Sequence, residues 1–271
     1  MIAFPNAKIN IGLNIIRKRE DGFHDIETIM YPLTKIIYDA LEITPAKKFE
    51  LKCAGIKIPG ELEHNLCIKA YNLINKDYPL PKIKINLLKA IPIGAGLGGG
   101  SADAAFFIRL LNDAFNLGIS WGEMHHYARQ LGSDCSFFIS NKPTYAQAKG
   151  DQFESIKLDL SSYYISVIYP NIHVNTALAY SGVIPKKPKS SLEYDIQNLP
   201  IEKWKNIIHN DFEDSIFKLI PDLEKIKKKL YQKGAVYASM SGSGSTVYGI
   251  FRKKPKMKKE FSKLSVWEGR L

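Results

Sequence analysis

Cysteine is scarce in this chain, and its placement supports no framework. Cys53, Cys67 and Cys135 are odd in number, and they form neither a CxxC pair nor a Cys/His ligand spacing. Disulfide and zinc scaffolds are therefore not expected, and a reducing cytoplasm is. Long apolar runs are missing too, so no segment reads as membrane-spanning. Met1-Ile2-Ala3-Phe4-Pro5 has no basic start leading into an apolar core, so no secretory leader is expected. His64, His125, His126, His173 and His209 form no spaced cluster, and no protein metal set is expected. Internal repeats are absent. Strands and helices do not alternate regularly, which argues against a doubly wound sheet and for an α+β fold.

Positive charge is in excess. The chain has 271 residues, 45% of them apolar and 24% charged, with a net charge of +11. The last 20 residues alone carry eight basic and two acidic side chains. The simpler reading of this segment, 252–271, is a solvated terminal helix; the alternative is an arm for nucleic acid.

Alternation of apolar and polar residues predicts strands over 2–18, 26–44 and 82–87. Asn65 and Ser120 read as N-caps, the latter with Glu123 in a capping box. A buried helix is expected from Ser101 to Phe115. Short apolar runs at 136–139, 144–146 and 163–169 read as strands. The Pro-, Lys- and Ser-rich stretch 183–200 reads as a loop. Helices are expected over 201–219 and 221–232, then strands at 235–239 and 247–251. A domain boundary is expected near 155, dividing 1–155 from 156–271.

The run Pro92-Ile93-Gly94-Ala95-Gly96-Leu97-Gly98-Gly99-Gly100-Ser101-Ala102 lies between a strand pattern and a helix pattern. Five glycines in seven positions exceed what a turn needs, and they expose N–H groups at the positive end of a helix. This is the composition of a phosphate-binding loop. Gly94, Gly96 and Gly99 also satisfy GxGxxG, with Asp113 near the spacing of a ribose carboxylate, but regular βαβ units are absent. A dinucleotide-dependent oxidoreductase therefore stays open as a further alternative. Gly100 stands where the GxxxxGK[ST] loop needs lysine.

Three motifs together resemble the GHMP small-molecule kinases. They are Pro92 with Gly96-Leu97-Gly98-Gly99-Gly100-Ser101-Ala102, Pro5-Asn6-Ala7-Lys8-Ile9-Asn10, and Ser241-Gly242-Ser243-Gly244-Ser245-Thr246. Their order spans nearly the whole chain. The resemblance narrows through Asp21-Gly22-Phe23-His24, Asn65-Leu66, Gly132-Ser133-Asp134-Cys135, Pro170 with Thr176 and Tyr180, and Asn210-Asp211-Phe212-Glu213. Those segments resemble members acting on a cytidyl diphosphate in isoprenoid-precursor synthesis. Phe23 stands where tyrosine is common, and Asp151 where glutamate is usual.

The resemblance implies a two-domain GHMP kinase fold, with an N-terminal ribosomal-protein-S5-domain-2-like domain and a ferredoxin-like α/β C-terminal domain. It implies ATP with Mg²⁺ as cofactors and a small cytidyl diphosphate as partner. No nucleic acid or membrane is expected as a partner, and the molecule would be a monomer or weak homodimer. Asp134 would be the general base and Lys8 its charge-stabilising companion. Asn65 and Lys89 would lie near adenine, and residues 92–102 would hold the phosphates, with Ser101 contacting phosphate or Mg²⁺. Phe23 and Tyr180 would be the faces of a base slot whose edge His24 reads. Asn10 and Thr176 would hold the rest of the substrate, with Gly242 and Ser243 closing over its phosphates.

Overall fold

A computed structural model describes residues 1–271. In chain order the N-terminal elements are β1 (Ile2–Ala3), β2 (Asn6–Lys18), β3 (His24–Tyr38), β4 (Ala40–Pro45), β5 (Glu50–Gly55), α1 (Leu66–Asp77) and β6 (Ile83–Lys89). Next come α2 (Gly99–Phe115), α3 (Trp121–Leu131), α4 (Cys135–Ser140), β7 (Thr144–Gln147), β8 (Gln152–Ser155) and β9 (Tyr164–Tyr169). The remainder is α5 (Thr176–Ser181), α6 (Leu192–Asn198), α7 (Ile201–Ile207), α8 (Glu213–Leu219), α9 (Pro221–Gln232), β10 (Tyr237–Met240), β11 (Val247–Phe251), α10 (Met257–Glu260) and β12 (Ser265–Arg270). The architecture is α+β.

The chain divides into two compact units, neither continuous in sequence. The first comprises Met1–Ala7, Ile37–Ile93 and Gly98–Lys142; the second comprises Lys8–Ile36, Gly94–Leu97 and Pro143–Leu271. The glycine run thus changes unit between Leu97 and Gly98.

In the first unit, four strands run β1-β4-β6-β5, with β5 parallel to β6 and the other pairs antiparallel. Register aligns Ile43, Ile85 and Leu51 across three strands, and all three are buried. Glu42, Asn86 and Lys52 align on the opposite face, as a period of two requires. The helices α1 to α4 pack on one another, with α2 touching each of the other three. α2 earns that place from its composition: Ala102, Ala104, Ala105, Phe107, Ile108 and Leu111 are fully buried.

The second unit holds two four-stranded sheets, β2-β3-β7-β8 and β10-β11-β9-β12. Phe212, Ile216, Leu223, Ile226 and Leu230 from α8, α9 and the turn before them fill a core with Ile168, Met240 and Val247. Pro221 at the start of α9 supplies a preset φ where no helical N–H partner is needed.

Several local expectations are corrected. Ser136–Ile139 is helix, not strand; a four-residue apolar run fits either, and burial on all sides hides the period. The expected helix over 201–219 is two helices, broken at Asn210, where the chain forms a parallel bridge with Leu13. The stretch read as a loop, 183–200, ends in α6, and Thr176–Ser181 forms a helix that no sequence signal flagged. The basic tail is not a terminal helix. After the single turn of α10 it becomes β12, antiparallel to β9 from Tyr169 to Tyr164. Glu260 there accepts from Lys229 and Lys233, each at 2.7 Å.

Candidate active site

In the second unit, Lys8 and Asn10 stand two residues apart on β2 and share one face of the strand. Both are buried. Lys8 Nζ donates to Asn10 Oδ1 at 2.5 Å. Asn10 Nδ2 donates to Thr28 Oγ1 at 3.1 Å, and the Thr28 hydroxyl donates to the Gly12 carbonyl at 2.6 Å. With its hydrogen so committed, Thr28 can only accept from Asn10. That turns the amide oxygen of Asn10 toward the lysine.

Residues 94–97 are sewn to the second glycine loop. Lys8 N donates to Leu97 O at 3.0 Å, and Thr246 N donates to Ala95 O at 3.3 Å. Ser241 Oγ donates to Gly96 O at 2.8 Å and accepts from Asn10 N at 3.2 Å. One buried hydroxyl therefore ties β2 to both loops. Gly96 has φ +79°, and a Cβ there would strike the Ser241 carbonyl oxygen, so the approach tolerates no side chain. Asn210 braces the second loop, donating to Met240 O at 2.9 Å and Gly242 O at 2.8 Å. Ala95 and Leu97 are buried, whereas Gly94 is exposed.

The same unit carries the aromatic residues. Thr176 opens α5, and its hydroxyl lies 3.3 Å from Ser243 Oγ. Tyr180, one turn later on the same face, stacks on His24 with ring centres 4.6 Å apart and planes 16° from parallel. Phe212 meets Tyr180 edge-on at 4.9 Å. Burial and the charge of Lys18 hold His24 below the usual imidazole range, so its ring is neutral at pH 7. Phe23 is not brought into this stack with His24: it is 60% exposed, with the Lys149 ammonium 4.8 Å from its ring centre.

In the first unit, α2 begins at Gly99, two residues before the expected start. Gly98 caps it in the left-handed conformation, φ +71°, which glycine adopts without strain. Gly99, Gly100 and Ser101 thus form the first turn, whose N–H groups have no partner within the helix. Nothing lies within 4 Å of where a Gly100 Cβ would stand. Pro92 and Ala102 are buried, and Ile93 is half-buried. Asn65 caps α1, its Oδ1 accepting from Cys67 N at 2.9 Å. Asp134 is the half-buried N-cap residue of α4, and its carboxylate does not cap that helix. The neighbouring Cys135 thiol, pushed up to about 11 chiefly by burial, bonds the Ser101 hydroxyl. Lys89 is only 3% exposed, and its ammonium is held by Asp39 and by Asp103, the latter at 2.6 Å.

Two family models match the chain: GHMP kinases N terminal domain over residues 65–142, and GHMP kinases C terminal over residues 193–266. A 4-diphosphocytidyl-2-C-methyl-D-erythritol kinase from Azobacteroides pseudotrichonymphae is 52% identical over 93% of this chain and 94% of its own. The chain belongs to the GHMP kinases. An enzyme of the same name from Bacteroides fragilis is 49% identical, covering 96% of this chain and 95% of its own. A crystal structure of 4-(cytidine 5'-diphospho)-2C-methyl-D-erythritol kinase superposes with a TM-score of 0.75 at 28% identity, covering 92% of this chain and 89% of that one.

Thr28 was not singled out by the sequence, and Ser241, Asn210 and Glu213 stood there only within longer motifs, without these hydrogen bonds. Thr28, Ser241 and Asn210 act through hydrogen bonds that span 16 to 231 positions and leave no local pattern. Glu213 accepts from Met240 N at 2.8 Å and from the Ser239 hydroxyl at 3.1 Å. The Asn210–Glu213 segment therefore holds the strand leading into the second glycine loop.

Proposed function

We propose that this GHMP kinase transfers the γ-phosphoryl group of ATP to a hydroxyl of 4-diphosphocytidyl-2-C-methyl-D-erythritol, in the cytoplasm. The observation that carries the reading is near-50% identity, over nearly full length, to enzymes of that name. The joined glycine loops and the His24–Tyr180 stack support it chemically.

Phosphoryl transfer requires positioning, charge neutralisation and an oriented nucleophile rather than covalent help. The first-turn N–H groups of α2 suit an anion, and the open space over Gly100 leaves room for one. No three His, Cys, Asp or Glu side chains are grouped to hold a metal ion. The residues therefore fit a Mg²⁺ that arrives on the nucleotide phosphates, with the Ser101 hydroxyl as its protein ligand. The ion supplies charge neutralisation on the phosphates. Asp134 accepts the proton of the substrate hydroxyl as its oxygen attacks phosphorus and ADP departs. Lys8, its ammonium held by Asn10, stabilises charge on the reacting oxygens.

The flat, neutral His24 with Tyr180 behind it offers a cytosine one stacking face and a hydrogen-bonding edge. Exposed Phe23 stands as the opposing face that the base recruits on binding. Asn10 and Thr176, with Gly242 and Ser243, take the diphosphate and polyol. Asn65 borders the adenine. Lys89 acts on the nucleotide through α2 rather than by touch, because its ammonium is already committed. A domain boundary near 155, dividing 1–155 from 156–271, is part of this reading; its support is that 155 falls in the interval between the matched segments 65–142 and 193–266.

A coupled ADP-release assay tests the reading. Turnover is expected with the cytidyl substrate and not with mevalonate or homoserine. Turnover confined to one of the latter would replace the substrate assignment.

A further inference from the structure

The connection from β9 to α5, residues 170–175, carries a histidine that no step above uses. Two contacts tie this stretch to the second glycine loop. Ser245 Oγ donates to the Ile172 carbonyl, and Thr176 Oγ1, at the start of α5, lies 3.3 Å from Ser243 Oγ. Between these ties, His173 sets its ring against the first glycine loop. A Cβ at Gly94 would stand 2.3 Å from His173 Cε1 and 2.4 Å from Nδ1, but 3.7 Å from Nε2. The ring therefore rests by one edge against the bare Cα of Gly94, and Nε2 is its far nitrogen. Gly94 has φ +64°, so glycine is needed there twice, for the backbone angle and for the histidine's seat. All of these residues belong to the second unit.

Packing alone does not account for this placement. His173 and Gly94 are both exposed, so their contact removes little apolar surface from water. Val174, the next residue, is buried and already anchors the connection in the core. Neither nitrogen of the His173 ring has a hydrogen-bond partner within the protein. An imidazole carries at least one N–H donor in either protonation state. Here that donor stands beside two glycine loops, and phosphoryl oxygens accept strongly from such a group.

We propose that His173 is a substrate-binding residue: its Nε2–H donates to a phosphoryl oxygen of the nucleoside diphosphate, and Gly94 fixes the ring for that bond. The inference rests on the reading that Thr176 and Ser243 hold the substrate's diphosphate. Because Gly94 seats only one edge of the ring, seat and donor can be removed separately. His173→Phe keeps a flat ring on Gly94 and loses the donor. His173→Gln gives up the ring and keeps an N–H at similar reach.

The test is ligand-observed NMR titration of the intact protein with CDP and with cytidine, beside calorimetry with MgATP. His173→Phe should weaken CDP binding by about 10- to 100-fold, the range for a hydrogen bond to a charged group. Cytidine, which has no phosphate, should bind within about twofold of its parent affinity, and so should MgATP. His173→Gln should recover most of the affinity for CDP. Unchanged CDP binding in His173→Phe, an equal loss for cytidine, a loss confined to MgATP, or a His173→Gln variant as weak as His173→Phe overturns the inference. A parent protein that binds neither CDP nor cytidine would instead remove the cytidyl-substrate reading, and the inference with it, before any variant is made.

Discussion

Thr28 shows how one side chain can orient another through hydrogen bonds alone. Its hydroxyl is spent on the Gly12 carbonyl, so it accepts from Asn10 and orients the amide oxygen toward Lys8. Thr28→Val keeps the shape and removes both bonds. The orphaned Asn10 N–H and Gly12 carbonyl should cost ~1–3 kcal/mol of stability. The Asn10 amide becomes free to flip, so kcat should fall roughly tenfold while KM for ATP changes little. Thr28→Ser, which restores the hydroxyl, should recover most of kcat. Parallel thermal melts and kinetics check this; loss of stability with kcat intact would reduce Thr28 to packing. Nothing local in the sequence marks Thr28. It sits among strand residues of ordinary pattern, and its partners lie 16 and 18 positions away. Lys8 was named through a motif that resembles a family's; Thr28 was not.

At the scale of elements, legibility followed local chemistry. α1 and α3 were readable from their caps, since Asn65 and Ser120 each accept a backbone N–H within their own turn. Strand β6 was readable from strict alternation. α4 was misread because a single buried turn and a half has no visible period, and α6 because the proline- and lysine-rich chain before it dominated the stretch. The tail was misread for another reason. Its lysines describe solvent exposure, while Ser265–Arg270 becomes a strand only because β9 is there to pair with it. The joined glycine loops make a firmer claim at this scale. Gly96→Ala forces a side chain at φ +79° against the Ser241 carbonyl. Both loops must part to admit it, so the midpoint of thermal unfolding should drop by several degrees, about 2–4 °C for each kcal/mol lost. MgATP should no longer raise that midpoint. A variant with normal ligand-induced stabilisation would mean that the loops need no such closeness.

At the scale of the molecule, the chain forms two compact units, neither continuous in sequence. Lys8 and residues 94–97 belong to the second, and Asp134 and residues 98–102 belong to the first. The boundary between the units cuts through the glycine run itself, which no reading of composition would place there. Some basic side chains meet carboxylates: Lys229 and Lys233 meet Glu260, and Arg252 meets Glu202. The basic tail is itself folded, as α10 and β12. The central claim is that Asp134 takes the proton of the substrate hydroxyl during transfer from ATP. Rapid-quench single turnover with labelled MgATP and 4-diphosphocytidyl-2-C-methyl-D-erythritol measures that step alone. Asp134→Asn should slow transfer by about 10²–10⁴-fold while the affinities for MgATP and substrate stay within about threefold. Transfer within tenfold of the parent rate would contradict the account.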